Sequence, residues 1–301
     1  MLNNKPFFYV LLLGLLFQLT ENKLFAQRYR NKRKFEPSST ASLIMHSSKW
    51  VVGIKGSVNF TTALPEKFYT VVTPASGLGN GYEKEYDLSS RNVSPAIAIQ
   101  LFYYPVRFLG FSVQPGFANY RFTYSSEMRW NIDELGNGPN YTRLQFEHDH
   151  RLNYFELPLI TQLSVGNEQT RFFLQGGLVY GHLLTGYKYI NGSEHKAYSD
   201  GVIVKPVSEE ASLSSQINPN RWCYQIGGGI SFDLFPVRLS LECNYKKSFD
   251  PLINPEERYS DQHLLLYYYD VMDDLKLGHL EFGLSLAIPL DHIHQVYDNR
   301  K

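Results

Sequence analysis

Apolar and polar side chains alternate with period two through most of the chain after residue 49, a pattern that admits strands and little else. In the segment 279–290, Leu280, Phe282, Leu284, Leu286, Ile288 and Leu290 fall on one face, and Glu281, Gly283, Ser285 and Ala287 on the other. Over 50–60, Trp50, Val52, Ile54, Val58 and Phe60 share a face with Gly56, opposite Val51, Gly53, Lys55, Ser57 and Asn59. Six further segments behave alike: 94–104, 107–122, 146–165, 170–187, 221–233 and 236–247. Eight strands is an even number, as a closed up-and-down sheet requires.

The links between these segments alternate in length. Three are short, at Pro105-Val106, at 166–169 and at Leu234-Phe235; four are long, at 61–93, 123–145, 188–220 and 248–277. Short turns at one end and long loops at the other predict an all-β fold, an eight-stranded antiparallel up-and-down transmembrane β-barrel with short periplasmic turns and long extracellular loops.

Composition says which face points inward. The less apolar face is rich in small residues (Ala96, Ala98, Gly110, Ser112, Gly116, Ala118, Gly227, Gly229, Ser231, Gly283), which weaken an exposed strand but make room inside a narrow barrel. The long polar residues on that face are Lys55, Gln100, Gln114, Glu156, Gln225, Glu242 and Glu281. The large apolar face is therefore expected to meet lipid. Lys55, Glu156, Arg238, Glu242 and Glu281 are expected to form a lumen polar network, structural because an unpaired buried charge is costly. A barrel of this size is filled by side chains and leaves no aqueous channel, which argues against a porin. Trp50, Tyr103, Phe172 and Phe232 near one set of strand ends, and Phe60, Trp222 and Tyr245 near the other, are expected to form aromatic girdles.

The first residues assign the compartment. Lys5, the apolar run Phe7 to Leu19 and the Leu24-Phe25-Ala26 site read as a secretory signal peptide over 1–26, too short for a membrane span. Its removal takes away Lys5, Lys23 and Glu21, so 29 basic and 29 acidic residues become 27 and 28. That neutrality argues against nucleic acid as a partner. The expected organisation is signal peptide 1–26, basic periplasmic lead 27–49 (with Arg28 to Lys34), barrel 50–290 and periplasmic tail 291–301. Cys223 and Cys243 fall on opposite faces and are expected to be free thiols.

No catalytic, cofactor or metal residues are expected. His148 and His150 share a face at a strand end, a spacing that suits a metal, but no third ligand accompanies them and solvated side chains are expected. His292 and His294 in the tail read the same way. His182 is placed on the lipid side, a layout that resembles the eight-stranded lipid A deacylases; that resemblance implies a surface His with a Ser two residues on, where Leu184 stands here. Gly176-Gly177 and Gly227-Gly228-Gly229 lack the helix and Lys of a phosphate loop.

Three stretches, Phe111 to Phe117 (FSVQPGF), Leu152 to Leu159 (LNYFELPL) and Phe172 to Leu184 (FFLQGGLVYGHLL), resemble the PorT-like outer-membrane β-barrel family of Bacteroidetes. The resemblance implies an outer-membrane location and, from its better-known members, a link to type IX secretion and gliding. The expected function is a non-enzymatic scaffold or accessory for protein secretion or envelope assembly. Its expected partners are outer-membrane lipid and secretion-machinery or envelope proteins met through loops or turns. The alternatives are a membrane-embedded lipid A-modifying hydrolase and a secreted lipocalin-like binding protein.

Overall fold

A computed structural model describes residues 48–70, 81–87, 92–130, 141–167, 169–198, 201–234 and 236–291, all within one compact unit, Ser42–Lys301. The expected signal peptide, the basic lead up to residue 47 and the tail from residue 292, with His292 and His294, lie outside the described residues.

Alternating sequences pair into eleven antiparallel strands among the described residues: β1 (Trp50–Lys67), β2 (Gly81–Tyr86), β3 (Val93–Val106), β4 (Leu109–Val113), β5 (Gly116–Trp130), β6 (Tyr141–Gly166), β7 (Thr170–Tyr198), β8 (Gly201–Ser212), β9 (Asn220–Leu234), β10 (Val237–Ser248) and β11 (Asp274–Pro289). One short helix, α1 (Gln262–Tyr268), precedes β11. The pairings run β1 to β3, through β4 and β5 to β6, then to β7, β9, β10, β11 and back to β1. Pro115 interrupts the rung shared by β4 and β5, because it has no N–H for the ladder. Its carbonyl still accepts from Ile99 N at 2.9 Å, so the two pieces occupy one place in the sheet. The result is a closed ring of eight, with β2 and β8 attached outside it to β5 and β7.

The outer face is apolar and exposed: Ile54 is 60% exposed, Leu174 71% and Ile226 61%. The inner face buries Lys55, Gln100, Gln114, Glu156, Gln225, Glu242 and Glu281. An apolar surface turned outward around a polar interior is the reverse of a water-soluble barrel. Cys223 is buried inside, Cys243 is exposed on the outer face, and both are free.

At the short-turn end, β6 passes to β7 through Gly166, whose φ of +147° suits glycine, and through Asn167, whose side chain accepts from Gln169 N at 3.1 Å and Thr170 N at 2.7 Å. The β3–β4 turn falls at Arg107-Phe108, since Val106 already pairs with Leu109; the expected position at Pro105-Val106 is two residues early.

The other end departs more from the sequence reading. The described parts of the four long links are largely structured: β5, β6 and β7 run well past the ring's apolar band, β1 and β11 stay paired to Lys67 and Asp274, and β2 and β8 extend the sheet. The cause is an inversion of faces. Along β5, Phe117 points outward, whereas Tyr120, Phe122 and Tyr124 point inward and are fully buried. With Leu152, Leu144, Phe146, Ile190, Leu264 and Met272 they form an apolar core inside the sheet, as in a water-soluble protein. The β10–β11 link closes this core from above. Leu252 N donates to Leu275 O at 2.7 Å, Ile253 bridges to Ile217, and Tyr268 of α1 meets the Phe146 ring edge-on at 5.5 Å. Helix α1 is capped by Asp261, which accepts from Leu264 N at 3.1 Å, and ends at Tyr269 in a left-handed conformation.

Candidate functional site

Strand parity sends polar side chains into the ring at three levels. At the short-turn end, Asp233 accepts from Arg238 at 2.5 Å and pairs with Arg171 at 3.3 Å, and the Arg238 guanidinium lies 5.4 Å from the Tyr104 ring. Arg238, expected in one network with the other lumen charges, belongs to this separate cluster, because its position near the start of β10 places it away from the centre.

The central level holds one continuous ionic chain. Lys55 bridges Glu242 and Glu281; Lys246 joins Glu281 at 2.6 Å to Glu156 at 3.1 Å; Arg221 meets Glu156 at 2.8 Å. Tyr120 donates to Glu156 at 2.7 Å, and Gln175 donates to Glu242 at 2.9 Å and to Asn244 at 2.7 Å. Three carboxylates face three cations, all buried. Burying such pairs is tolerable only with this geometry. The small residues make the space: a Cβ on Gly283 would come within 2.9 Å of Glu242 Oε1, and one on Gly227 within 2.1 Å of Asn244 Oδ1. Two cavities in the ring measure about 20 and 10 Å3, room for a water or so each. Lys246 and Arg221 were not among the expected network residues, although their alternation with Tyr245 and Trp222 carries the signal.

At the long-hairpin end a third charged cluster sits inside the apolar core. Asp270 accepts from Tyr124 at 2.9 Å and pairs with Lys188, while Lys84 lies 3.5 Å from Asp270 and 3.3 Å from Asp273. Tyr86 donates to Asp273 at 2.5 Å. These bonds fasten the segment after α1 to β2, β5 and β7. Nothing in the period-two pattern announces Asp270 or Asp273, which lie outside any strand.

His148 and His150 are buried rather than solvated, because they share inward parity with Leu152 and Tyr154 above the point where the faces invert. The His148 ring stacks on Tyr124 at 4.5 Å and that of His150 on Phe122 at 4.5 Å. Burial, and then the Lys188 ammonium, holds both imidazoles well below the usual histidine range. Ser126 bonds His148 Nε2 at 2.8 Å, whereas both ring nitrogens of His150 lack a partner among the described residues.

His182 faces outward, its Nδ1 2.8 Å from Asn220 Oδ1, to which Tyr180 also donates at 2.8 Å. Trp50, Phe172, Trp222 and Tyr245 are exposed on the outer face, with Phe60, Tyr103 and Phe232 half-buried on the same face. Trp50 and Tyr103 lie 4.8 Å apart at the short-turn end, and Phe60 meets Phe282 at 5.9 Å toward the other.

The sequence pattern of the outer membrane protein beta-barrel domain family matches residues 25–254. No curated protein sequence matches the chain. Similar solved structures include Neisserial surface protein A, at 10% identity over 80% of this chain and 97% of that one, with a TM-score of 0.33. Ail of Yersinia pestis matches at 10% identity over 80% and 99%, TM-score 0.33, and OprG of Pseudomonas aeruginosa at 10% over 80% and 96%, TM-score 0.34.

Proposed function

Because this chain belongs to the outer membrane protein beta-barrel domain family, we propose that its ring of eight crosses the outer membrane as a sealed barrel and serves as a non-catalytic platform for protein secretion or envelope assembly. The protein resides in the outer membrane. The short turns are then periplasmic and the long hairpins extracellular.

The observation that carries the platform reading is the free edge of β8. That strand pairs with β7 alone among the described residues and exposes Val202, Ile203 and Val204 in succession at a hairpin tip. An unpaired apolar edge recruits a strand from another chain, and soluble proteins normally blunt one. Beside it lies a cleft of about 790 Å3, lined by Lys205, Val207, Glu209, Leu266, Tyr267 and Tyr269. The balanced ionic chain inside supports a structural rather than a conducting lumen. The likeness to PorT-like proteins directs the proposal toward secretion. In support of a non-catalytic role, Asn220 and Tyr180 beside His182 do not supply the serine hydroxyl that the hydrolase alternative requires.

The test is delivery of proteins to the cell surface in the native host. Deleting the gene is expected to lower it. A Val202→Thr, Ile203→Thr, Val204→Thr variant is expected to reproduce the loss while still fractionating as a heat-modifiable outer-membrane band. Normal delivery in the deletion strain contradicts the platform role, and normal delivery with the triple variant removes the β8 edge from it.

A further inference from the structure

Just above the apolar band, the outer faces of β5, β6 and β7 carry three successive rows. Phe117, Phe155 and His182 stand side by side in register, with the two phenyl rings in edge contact at 5.7 Å. Next come Asn119, Asn153 and Thr185, where Asn153 donates to Thr185 at 2.7 Å. Then come Arg121, Arg151 and Tyr187.

The two arginines are direct cross-strand partners. Like charges in that position repel, and here one carboxylate stands between them. Asp149 accepts from Arg121 Nε at 2.7 Å on one oxygen and from Arg151 Nη2 at 2.9 Å on the other. One negative charge between two guanidiniums leaves a net positive charge. Both guanidinium groups stay open to the outside, with Arg121 36% and Arg151 51% exposed at the side chain, while Asp149 is shielded. Arg151 is held in place over the Tyr189 ring at 4.5 Å.

Height decides what meets such a pair. Arg151 precedes Phe155 by four positions, about 13 Å along the strand and about 10 Å along the normal at the tilt of a small barrel. A guanidinium there sits at the level of lipid headgroups, directly over an exposed apolar surface. A planar guanidinium makes paired, charge-assisted bonds with a phosphate, and two side by side offer more donors than one carboxylate uses.

We infer that Arg121 and Arg151, flanked by Asn119, Asn153 and Asp149, bind the phosphate of an outer-leaflet glycolipid whose acyl chains lie against Phe117 and Phe155. This rests on the transmembrane reading above. Asp149 orients the two guanidiniums and competes with the phosphate for them, so it sets the affinity.

The test uses the full chain refolded in detergent, with its folding checked separately by heat-dependent gel shift. Diphosphoryl lipid A is the probe, and adducts are counted by native mass spectrometry. The wild type is expected to retain the lipid about tenfold more than an Arg121→Gln, Arg151→Gln variant, the size of losing one or two charged hydrogen bonds. Asp149→Asn is expected to retain more than the wild type, an outcome that a merely structural role for the trio does not produce. Dephosphorylated lipid A is expected to bind wild type and double variant alike. Equal retention of diphosphoryl lipid A by wild type and double variant overturns the inference. Displacement by excess inorganic phosphate overturns it as well, in favour of a bare anion site. Absence of a gel shift in the wild type instead counts against the barrel reading on which it rests.

Discussion

Glu156 accepts from Tyr120, Arg221 and Lys246 at 2.7, 2.8 and 3.1 Å, so it is the hub of the central ionic chain. Glu156→Leu leaves Arg221 without its carboxylate and Lys246 with Glu281 alone. Stranding a buried charge costs about 3–5 kcal/mol. The variant is expected to lower the urea midpoint of the tryptophan fluorescence transition by that equivalent, and Glu156→Gln, which keeps a hydrogen-bond acceptor, by less. An unchanged midpoint for Glu156→Leu argues that the chain does not hold the interior together. Parity exposed Lys55, Glu156, Glu242 and Glu281 in the bare sequence because each sits mid-strand between apolar neighbours. Arg221 and Lys246 obey the same parity but lie within a residue of the ends of their expected segments, where a charged side chain reads as the start of a solvated loop. Arg238 shows a further limit: parity reports the face of a residue but not its height, so two clusters were merged into one.

At the scale of elements, alternation located every strand of the ring, and it faltered where the faces invert. Past Phe117 and Phe155 the apolar side moves to the inside, and a reader following one face sees the pattern dissolve into polar loop. The hairpins are instead strands that bury Phe122, Tyr124, Leu152 and Ile190 around a small core, closed by the β10–β11 link. That cap has a pH response whose sign follows from His148 and His150. Both are held neutral in the fold by burial and by Lys188, with Lys84 adding to the effect although Asp270 lies 3.9 Å from His148 Nδ1, whereas in the unfolded chain they titrate near 6.5. The unfolded form therefore binds more protons as pH falls below about 6.5, and stability is lost in that direction by up to about 1.4 kcal/mol per pH unit for each imidazole. Proteolysis of the β10–β11 link 249–273 in folded protein is expected to accelerate from pH 7.5 to pH 5, with His148→Phe, His150→Phe flattening the response. A cleavage rate that does not rise with acid contradicts a neutral histidine pair beneath the cap.

For the molecule as a whole, the alternation of link lengths made the ring legible, since three tight turns leave neighbouring strands no choice of partner. The cap, β2 and β8 were not legible, because they are held by long-range contacts such as Lys84 to Asp273 that carry no period in the sequence. What unites the parts is a reversal of the inner face along one axis: ionic within the ring, whose outer face is apolar, and apolar within the long hairpins beyond it. Cys243 and Cys223 are built-in reporters of that reversal, one exposed on the outer face beside Leu241 and Tyr245, the other buried within. The decisive measurement is maleimide labelling of the folded protein in lipid vesicles. A bilayer-soluble maleimide is predicted to modify Cys243 while a charged, membrane-impermeant one does not, and Cys223 is predicted to resist both until the protein is unfolded. Ready modification of Cys243 by the charged reagent in intact vesicles contradicts the account, because that face then meets water rather than hydrocarbon.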